Sequence, residues 1–111
     1  MGRFIKGDVV VIPFPYSDLS ATKKRPALVV SSLDGDDVIL CQITSHSISD
    51  RYGIALDTTD FSGGALKHSS NIRPNRLFTA DGDIISYRAG SIKDGKLQEV
   101  IYKIIEIIAG Y

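Results

Sequence analysis

A single cysteine, Cys41, stands in a chain of 111 residues, so no disulfide can form within it. Zinc sites built from paired cysteines are excluded by the same count, and a reducing compartment is the expectation. Charge of neither sign is in excess, with 13 lysines and arginines against 13 aspartates and glutamates. A neutral chain does not coat a polyanion or a membrane by bulk attraction, although a local basic patch remains open to it. No run of 18 apolar residues occurs, so no bilayer-spanning helix is expected. The opening MGRFIKGDVV lacks the apolar stretch and small-residue cleavage site of a secretory signal. Its sixth position is Lys6, where a myristoylation site carries Ser or Thr. These absences predict a cytoplasmic protein with no membrane association.

What is present is ordinary globular composition, 43% hydrophobic, in a length that suits one domain spanning 1–111. Residues 8–14, DVVVIPF, are β-branched and continuous and read as a strand. After a loop of about ten residues, 26–32 read as a second strand, and 37–45 as a third beyond the Asp34-Gly35 turn. Asp34, Asp36 and Asp37 read as a solvated turn. A fourth strand is expected at 52–57, followed over 59–70 by a polar connection in which Gly63-Gly64 suggests mobility. Residues 71–79 should be extended because Pro74 disfavours helix at Arg73. A last strand is expected at 83–92 after the Asp81-Gly82 turn, and Pro13, Pro15, Pro26 and Pro74 at strand ends or in loops. Short strands joined by turns argue for antiparallel pairing.

The period changes at the C-terminus. Leu97, Val100, Ile101, Ile104, Ile105 and Ile108 fall at helical spacing, with Asp94 as candidate N-cap and Gly110 as stop. Ile107 widens the apolar arc to about 160°, past the ~100° that packing on one core requires. Either the helix is wholly buried or part of this face meets a second subunit. The expected architecture is mainly β with a C-terminal helix, a small barrel-like sheet closed by that helix.

The stretch TKKRPALVV, 22–30, sets Lys23, Lys24 and Arg25 side by side before Pro26. Like charges repel, so the cluster is either a solvated loop or a site for an anion. A guanidinium stays charged and its planar fork matches two phosphate oxygens. Pro26 also confines Arg25 to extended conformations, which keeps the base of its side chain in place.

Three segments, GDVVVIPFPYSDLSATKKRPALVVSS (7–32), VILCQITS (38–45) and SNIRPNRLFTADGDIISYRAGSI (70–92), resemble in order the MazF/PemK family of toxin endoribonucleases. The resemblance implies an SH3-like antiparallel β-barrel and a homodimer. It implies metal-independent, sequence-selective cleavage of single-stranded RNA by 2′-OH attack, with no cofactor. The implied protein partner is a cognate antitoxin, with operator DNA bound only by the toxin–antitoxin complex. By the same resemblance, Arg25 and Thr44 meet the scissile phosphate and Arg73 assists as a catalytic residue. Lys23 and Lys24 guide RNA inward, and Ser45, His46, Asn75 and Arg76 contact it.

One departure bears on the chemistry. Where some relatives carry Arg-x-Asp, this chain has Arg73-Pro74-Asn75. An amide does not accept the 2′-OH proton at neutral pH, although it can hydrogen-bond a base edge. The general base is therefore unassigned. His46 lies two residues past Thr44, on the same face if the strand continues, and imidazole titrates near neutrality; His68 is the other histidine. Phe14, Tyr16 and Phe78 are candidates to stack on bases, and Asp18 is expected to cap its turn or pair with Lys24. The rival reading is a binding module of the same fold, a gyrase poison or an RNA- or antitoxin-binder that cuts nothing. Asn75 favours it.

Overall fold

The computed structural model describes residues 3–15, 22–47 and 49–110; Tyr16 and Asp18 lie outside them. Seven strands make one antiparallel sheet: β1 (Asp8–Pro15), β2 (Thr22–Ser32), β3 (Asp37–Thr44), β4 (Ile54–Leu56), β5 (Phe61–Gly64), β6 (Ser70–Asp81) and β7 (Tyr87–Ile92). Their order across the sheet is β4-β6-β3-β2-β1-β7-β5, and the sheet curls into a half-barrel packed by one helix, α1 (Asp94–Ala109).

β1 lies between β2 and β7, and Val9 to Ile12 are apolar without alternation because both faces are covered. Val9 joins Leu28, Ile43, Ile72, Leu97 and Val100 in the cluster beneath the helix. Val10 and Ile12 join Ala27, Val29, Val38 and Leu40 in the cluster on the other face. Cys41 belongs to the first cluster, where burial pushes its thiol up to about 12 and leaves no reactive thiolate.

The basic cluster is strand, not loop. β2 begins at Thr22, and Lys23, Lys24 and Arg25 pair with Phe14, Pro13 and Ile12 of β1. On its other side β2 meets β3 only from Ala27, opposite Gln42, so the stretch before Ala27 has an open edge. Pro26 sits at that edge, and Pro13 and Pro15 lie where β1 has run past its β7 ladder, which ends at Val11. Pro13 and Pro26 are inside strands, at places where a missing N–H is tolerated, while Pro15 closes β1 at a strand end, as expected.

β6 carries the main irregularity. Cys41 of β3 pairs with Leu77, but the next residue, Gln42, pairs with Arg73. Pro74, Asn75 and Arg76 therefore bulge from the ladder, with Pro74 fully buried and the other two exposed.

The segment 59–70 holds a strand the sequence reading treated as connection. β5 pairs with β7 through Gly63 opposite Ser91 and Gly64 opposite Gly90. A Cβ at Gly64, where φ is +71°, would stand 2.2 Å from the Ala89 carbonyl oxygen; one at Gly90 would stand 2.4 Å from that of Gly63. The glycines permit close strand approach, a packing role in place of the expected mobility. The expected strand over 83–92 is shortened by a 3-10 turn at Gly82–Ile84, whose start is capped by Asp81 accepting from the Asp83 N–H.

Lys93, not Asp94, is the N-cap residue of α1 and makes no side-chain cap bond; Asp94 is in the first turn, where it complements the helix dipole. Gly110 ends the helix in the left-handed conformation, as expected, donating its N–H to the Glu106 carbonyl. The helix is not wholly buried. Leu97 and Val100 are in the core and Ile101 and Ile104 pack against it, but Tyr102, Ile105 and Ile108 are 66%, 47% and 72% exposed.

Candidate active site

The parting of β2 from β3 and the bulge in β6 open a pocket of about 180 Å³. Arg25 comes to it from β2, Gln42 and Thr44 from β3, and Arg73 and Arg76 from the two sides of the bulge. Three guanidinium groups around so small a space form a strongly anion-attracting arrangement. The pocket is smaller than the roughly 300 Å³ at which sites begin to hold whole small ligands, so it suits one compact anion.

Two details set its donors. The Thr44 Oγ1 accepts the backbone N–H of His46 at 3.1 Å, so the hydroxyl hydrogen remains able to donate elsewhere. The Arg73 Nη2 donates to the Asp50 carboxylate at 2.7 Å, while its Nε is buried with no hydrogen-bond partner among the described residues. Asp50 is itself held in a turn, its Oδ1 accepting the N–H groups of Tyr52 at 2.9 Å and Gly53 at 3.2 Å. The Tyr52 N–H, then that of Gly53 and the charges of Arg73 and Arg76, hold its carboxyl below the usual range against a partial desolvation cost. Asp50 is therefore a poor proton acceptor and a good anchor.

A larger groove of about 580 Å³ continues from the pocket, sharing Arg25, Pro26, Ile43 and Thr44 with it. Lys23, Lys24, Ser45 and His46 line this groove, as does His68 from the segment before β6. The backbone of His46 is pinned on both sides, because its carbonyl accepts the Asn71 amide at 3.1 Å.

Of the nine site residues expected from the sequence, eight meet here: Arg25, Thr44, Arg73 and Arg76 at the pocket, Lys23, Lys24, Ser45 and His46 along the groove. Asn75 lines neither. It lies exposed in the bulge, between the buried Pro74 and Arg76 of the pocket. Phe14 and Phe78, expected as stacking residues, pack edge-to-face on each other with centroids 5.3 Å apart, though Phe14 also touches the pocket. Asp50 was missed. Asp50-Arg51-Tyr52-Gly53 has the form of an Asp-initiated turn, which locates the turn and says nothing of a partner 23 residues away.

The converging carboxylates lie elsewhere. Asp36, Asp81 and Asp83 come together at the end of the β3–β6 ladder away from Thr44, and Arg3 bridges Asp36 and Asp83. The hydrogen bond from Arg3 lowers the Asp36 carboxyl, so Asp36 is ion-paired, while Asp34 and Asp37 of the same turn are exposed as expected.

Residues 5–108 match the model of the PemK-like, MazF-like toxins of type II toxin–antitoxin systems. The chain belongs to that family. The same fold is found in an endoribonuclease from a mycobacterial species solved in complex with its cognate antitoxin, at 14% identity and a TM-score of 0.76, over 96% of this chain and 95% of that one. It is found in the MazE-MazF crystal structure (Form-II) from Deinococcus radiodurans, at 17% identity and a TM-score of 0.78, over 97% of each chain. The Mycobacterium tuberculosis toxin MazF-mt6 also shares it, at 13% identity and a TM-score of 0.71, over 92% of this chain and 96% of that one. No curated protein matches the sequence. Within this MazF-like toxin fold, the pocket and groove occupy the open edge of β2 and the bulged face of β6, and no described helix is long and apolar enough to cross a membrane.

Proposed function

We propose that this toxin is a metal-independent endoribonuclease that cuts single-stranded RNA at short preferred sequences in the cytoplasm. The observation that carries the reading is the convergence of Arg25, Arg73 and Arg76 with the Thr44 hydroxyl on one phosphate-sized pocket. Cleavage by the 2′-OH builds negative charge on the phosphorus oxygens, and preorganised guanidinium donors stabilise that charge without a metal. Arg25 and Thr44 hold the scissile phosphate. Arg73 adds charge from the opposite wall, and Lys23 and Lys24 draw the strand along the groove. An arginine gives up its proton too reluctantly to act readily as an acid, so Arg73 serves as an electrostatic clamp. His46, its backbone pinned beside Thr44, takes the proton from the 2′-OH, the task Asn75 does not perform. The P–O5′ bond breaks as the 2′-oxygen bonds to phosphorus, the leaving 5′-oxygen takes its proton from solvent water, and the products are a 2′,3′-cyclic phosphate and a 5′-OH.

The test is incubation of a long, weakly structured RNA with purified protein in excess EDTA. Discrete fragments ending in cyclic phosphate support the reading. Intact RNA across varied sequences, from a protein shown to be folded, overturns it in favour of a binding module.

Asp50 acts as a positioning residue for Arg73. Asp50→Ala is expected to lower kcat roughly tenfold with little change in RNA affinity, the pattern of a misplaced charge-stabilising group. Asp50→Asn keeps the turn acceptor and should lose less. Because the folded carboxyl lies below its ordinary value, near 3.9 when unperturbed, the anchor is intact above about pH 4. It is lost only as pH falls through the lower folded value. A rate profile between pH 5 and 8 should therefore show no inflection that Asp50→Asn removes.

A homodimer and a cognate antitoxin are the protein partners. Tyr102, Ile105 and Ile108 recur on one face of α1 at spacings of three, an apolar stripe fitting a second copy. Replacing Ile105 and Ile108 by glutamate is expected to give a folded monomer by light scattering. A wild-type protein already monomeric at high concentration would reject the dimer.

A further inference from the structure

Gln42 and Arg73 form the first pair of the β3–β6 ladder past the bulge, directly opposite each other, and both line the phosphate pocket. Directly opposed side chains in an antiparallel ladder have Cβ atoms about 4.5–5.5 Å apart, within reach of long polar groups. Gln42 shares its strand face with Thr44, two residues along. It is half-buried, and none of the roles assigned above falls to it.

Arg73 presents an unmet need. Its Nη2 is taken by Asp50 at 2.7 Å, whereas its Nε–H is buried with no hydrogen-bond partner among the described residues. A buried donor left unpaired is costly, and native interiors rarely keep one. Burial also shuts this N–H off from the open space of the pocket, so an anion held there does not reach it. The partner has to be a neighbouring side chain with an acceptor. Arg25 and Arg76 only donate. The Thr44 Oγ1 already accepts from the His46 N–H, and Thr44 pairs with Asn71, two residues away from Arg73. Gln42 is the lining side chain that sets an amide carbonyl opposite Arg73, and the remaining lining residues are apolar.

An amide carries an acceptor and two donor hydrogens on one planar group. With Oε1 turned onto the Arg73 Nε–H, the Nε2 hydrogens stay available to a ligand. A neutral donor then adds a hydrogen bond to a phosphate oxygen without adding a fourth positive charge to three that already repel.

We infer that Gln42 is a further active-site residue, which holds Arg73 by accepting its Nε–H and donates its own amide hydrogen to a non-bridging oxygen of the bound phosphate. The inference rests on the pocket's taking the RNA phosphate but not on cleavage.

Orthophosphate is the probe, titrated into isotope-labelled protein and variants shown to be folded by circular dichroism. Gln42→Leu has similar length and no hydrogen-bonding atom. It should bind orthophosphate about tenfold more weakly, the worth of one hydrogen bond to a charged group. Gln42→Glu should bind it more weakly still, because a carboxylate repels the anion. The Arg73 Nε–H resonance, assigned by its loss in Arg73→Lys, should carry the downfield shift of a hydrogen-bonded proton. Gln42→Leu should abolish that shift, and Gln42→Glu, which keeps an acceptor, should retain it. A residue that only fills space would not produce this split. Orthophosphate affinity unchanged in either variant, a resonance unmoved in Gln42→Leu, or no orthophosphate bound by the wild type overturns the inference. Weaker binding with a lost shift in Gln42→Leu, beside RNA left intact by the wild type, would uphold it and overturn the endoribonuclease reading. RNA cut at one rate by the wild type and Gln42→Leu would do the reverse.

Discussion

Replacing Arg25 by alanine is expected to lower kcat for RNA cleavage by roughly a thousandfold, with the fold retained. Removal of one donor that stabilises a developing oxyanion typically costs about 10²–10³, and arginines that stabilise phosphoryl-transfer charge are worth about 10³–10⁵. Arg25 stands at the upper end of the first range because it is the one guanidinium common to the pocket and the groove. Its strand is fixed by the β1 ladder through the pair with Ile12, so the side chain is presented from a rigid base. Arg25→Lys should recover little, since an ammonium lacks the fork that holds two oxygens. Single-turnover cleavage measured beside circular dichroism checks this. A folded Arg25→Ala protein with wild-type kcat would place the phosphate elsewhere.

Asp8→Ala is expected to cost about 2–3 kcal/mol of stability, the largest loss anticipated for a single substitution outside the core. Asp8 is 3% exposed and holds three elements together. Its carboxylate accepts the Ile5 N–H at 2.9 Å, the Ser91 hydroxyl at 3.0 Å and the Arg88 Nε at 3.2 Å. Alanine would strand the first two donors in a partly buried setting, a cost of about 1–3 kcal/mol for an unsatisfied buried group. Arg88, half exposed, would find water instead. Urea denaturation should show a lower midpoint with an unchanged slope. A stability loss of under about 0.5 kcal/mol would show that the network is replaceable by water.

Arg25 before Pro26 was legible from local chemistry; Thr44, Arg73 and Arg76 entered through the family resemblance, and the structure places all four at one pocket. Asn75 stands apart from the pocket for a definable reason. Period-two alternation puts Arg73 and Asn75 on one face of a regular strand, but the bulge at 74–76 breaks that alternation and swings Asn75 outward while bringing Arg76 to the pocket. Pro74 marked the segment as extended; it did not tell that three residues would leave the ladder.

The sequence by itself determined the elements whose cause is local. The unbroken Val9–Ile12 run marks a strand covered on both faces, and the helical spacing from Leu97 with Gly110 behind it marks α1. Tertiary structure alone decided what depends on register between distant strands. It turned the lysines into β2, paired Gly64 with Gly90, set Asp50 against Arg73 and left Tyr102, Ile105 and Ile108 uncovered. The physical reason is that backbone and hydrophobic periods act over a few neighbouring residues. Which strand edges stay open, and which charges meet across them, is fixed only when ladders far apart in sequence close together.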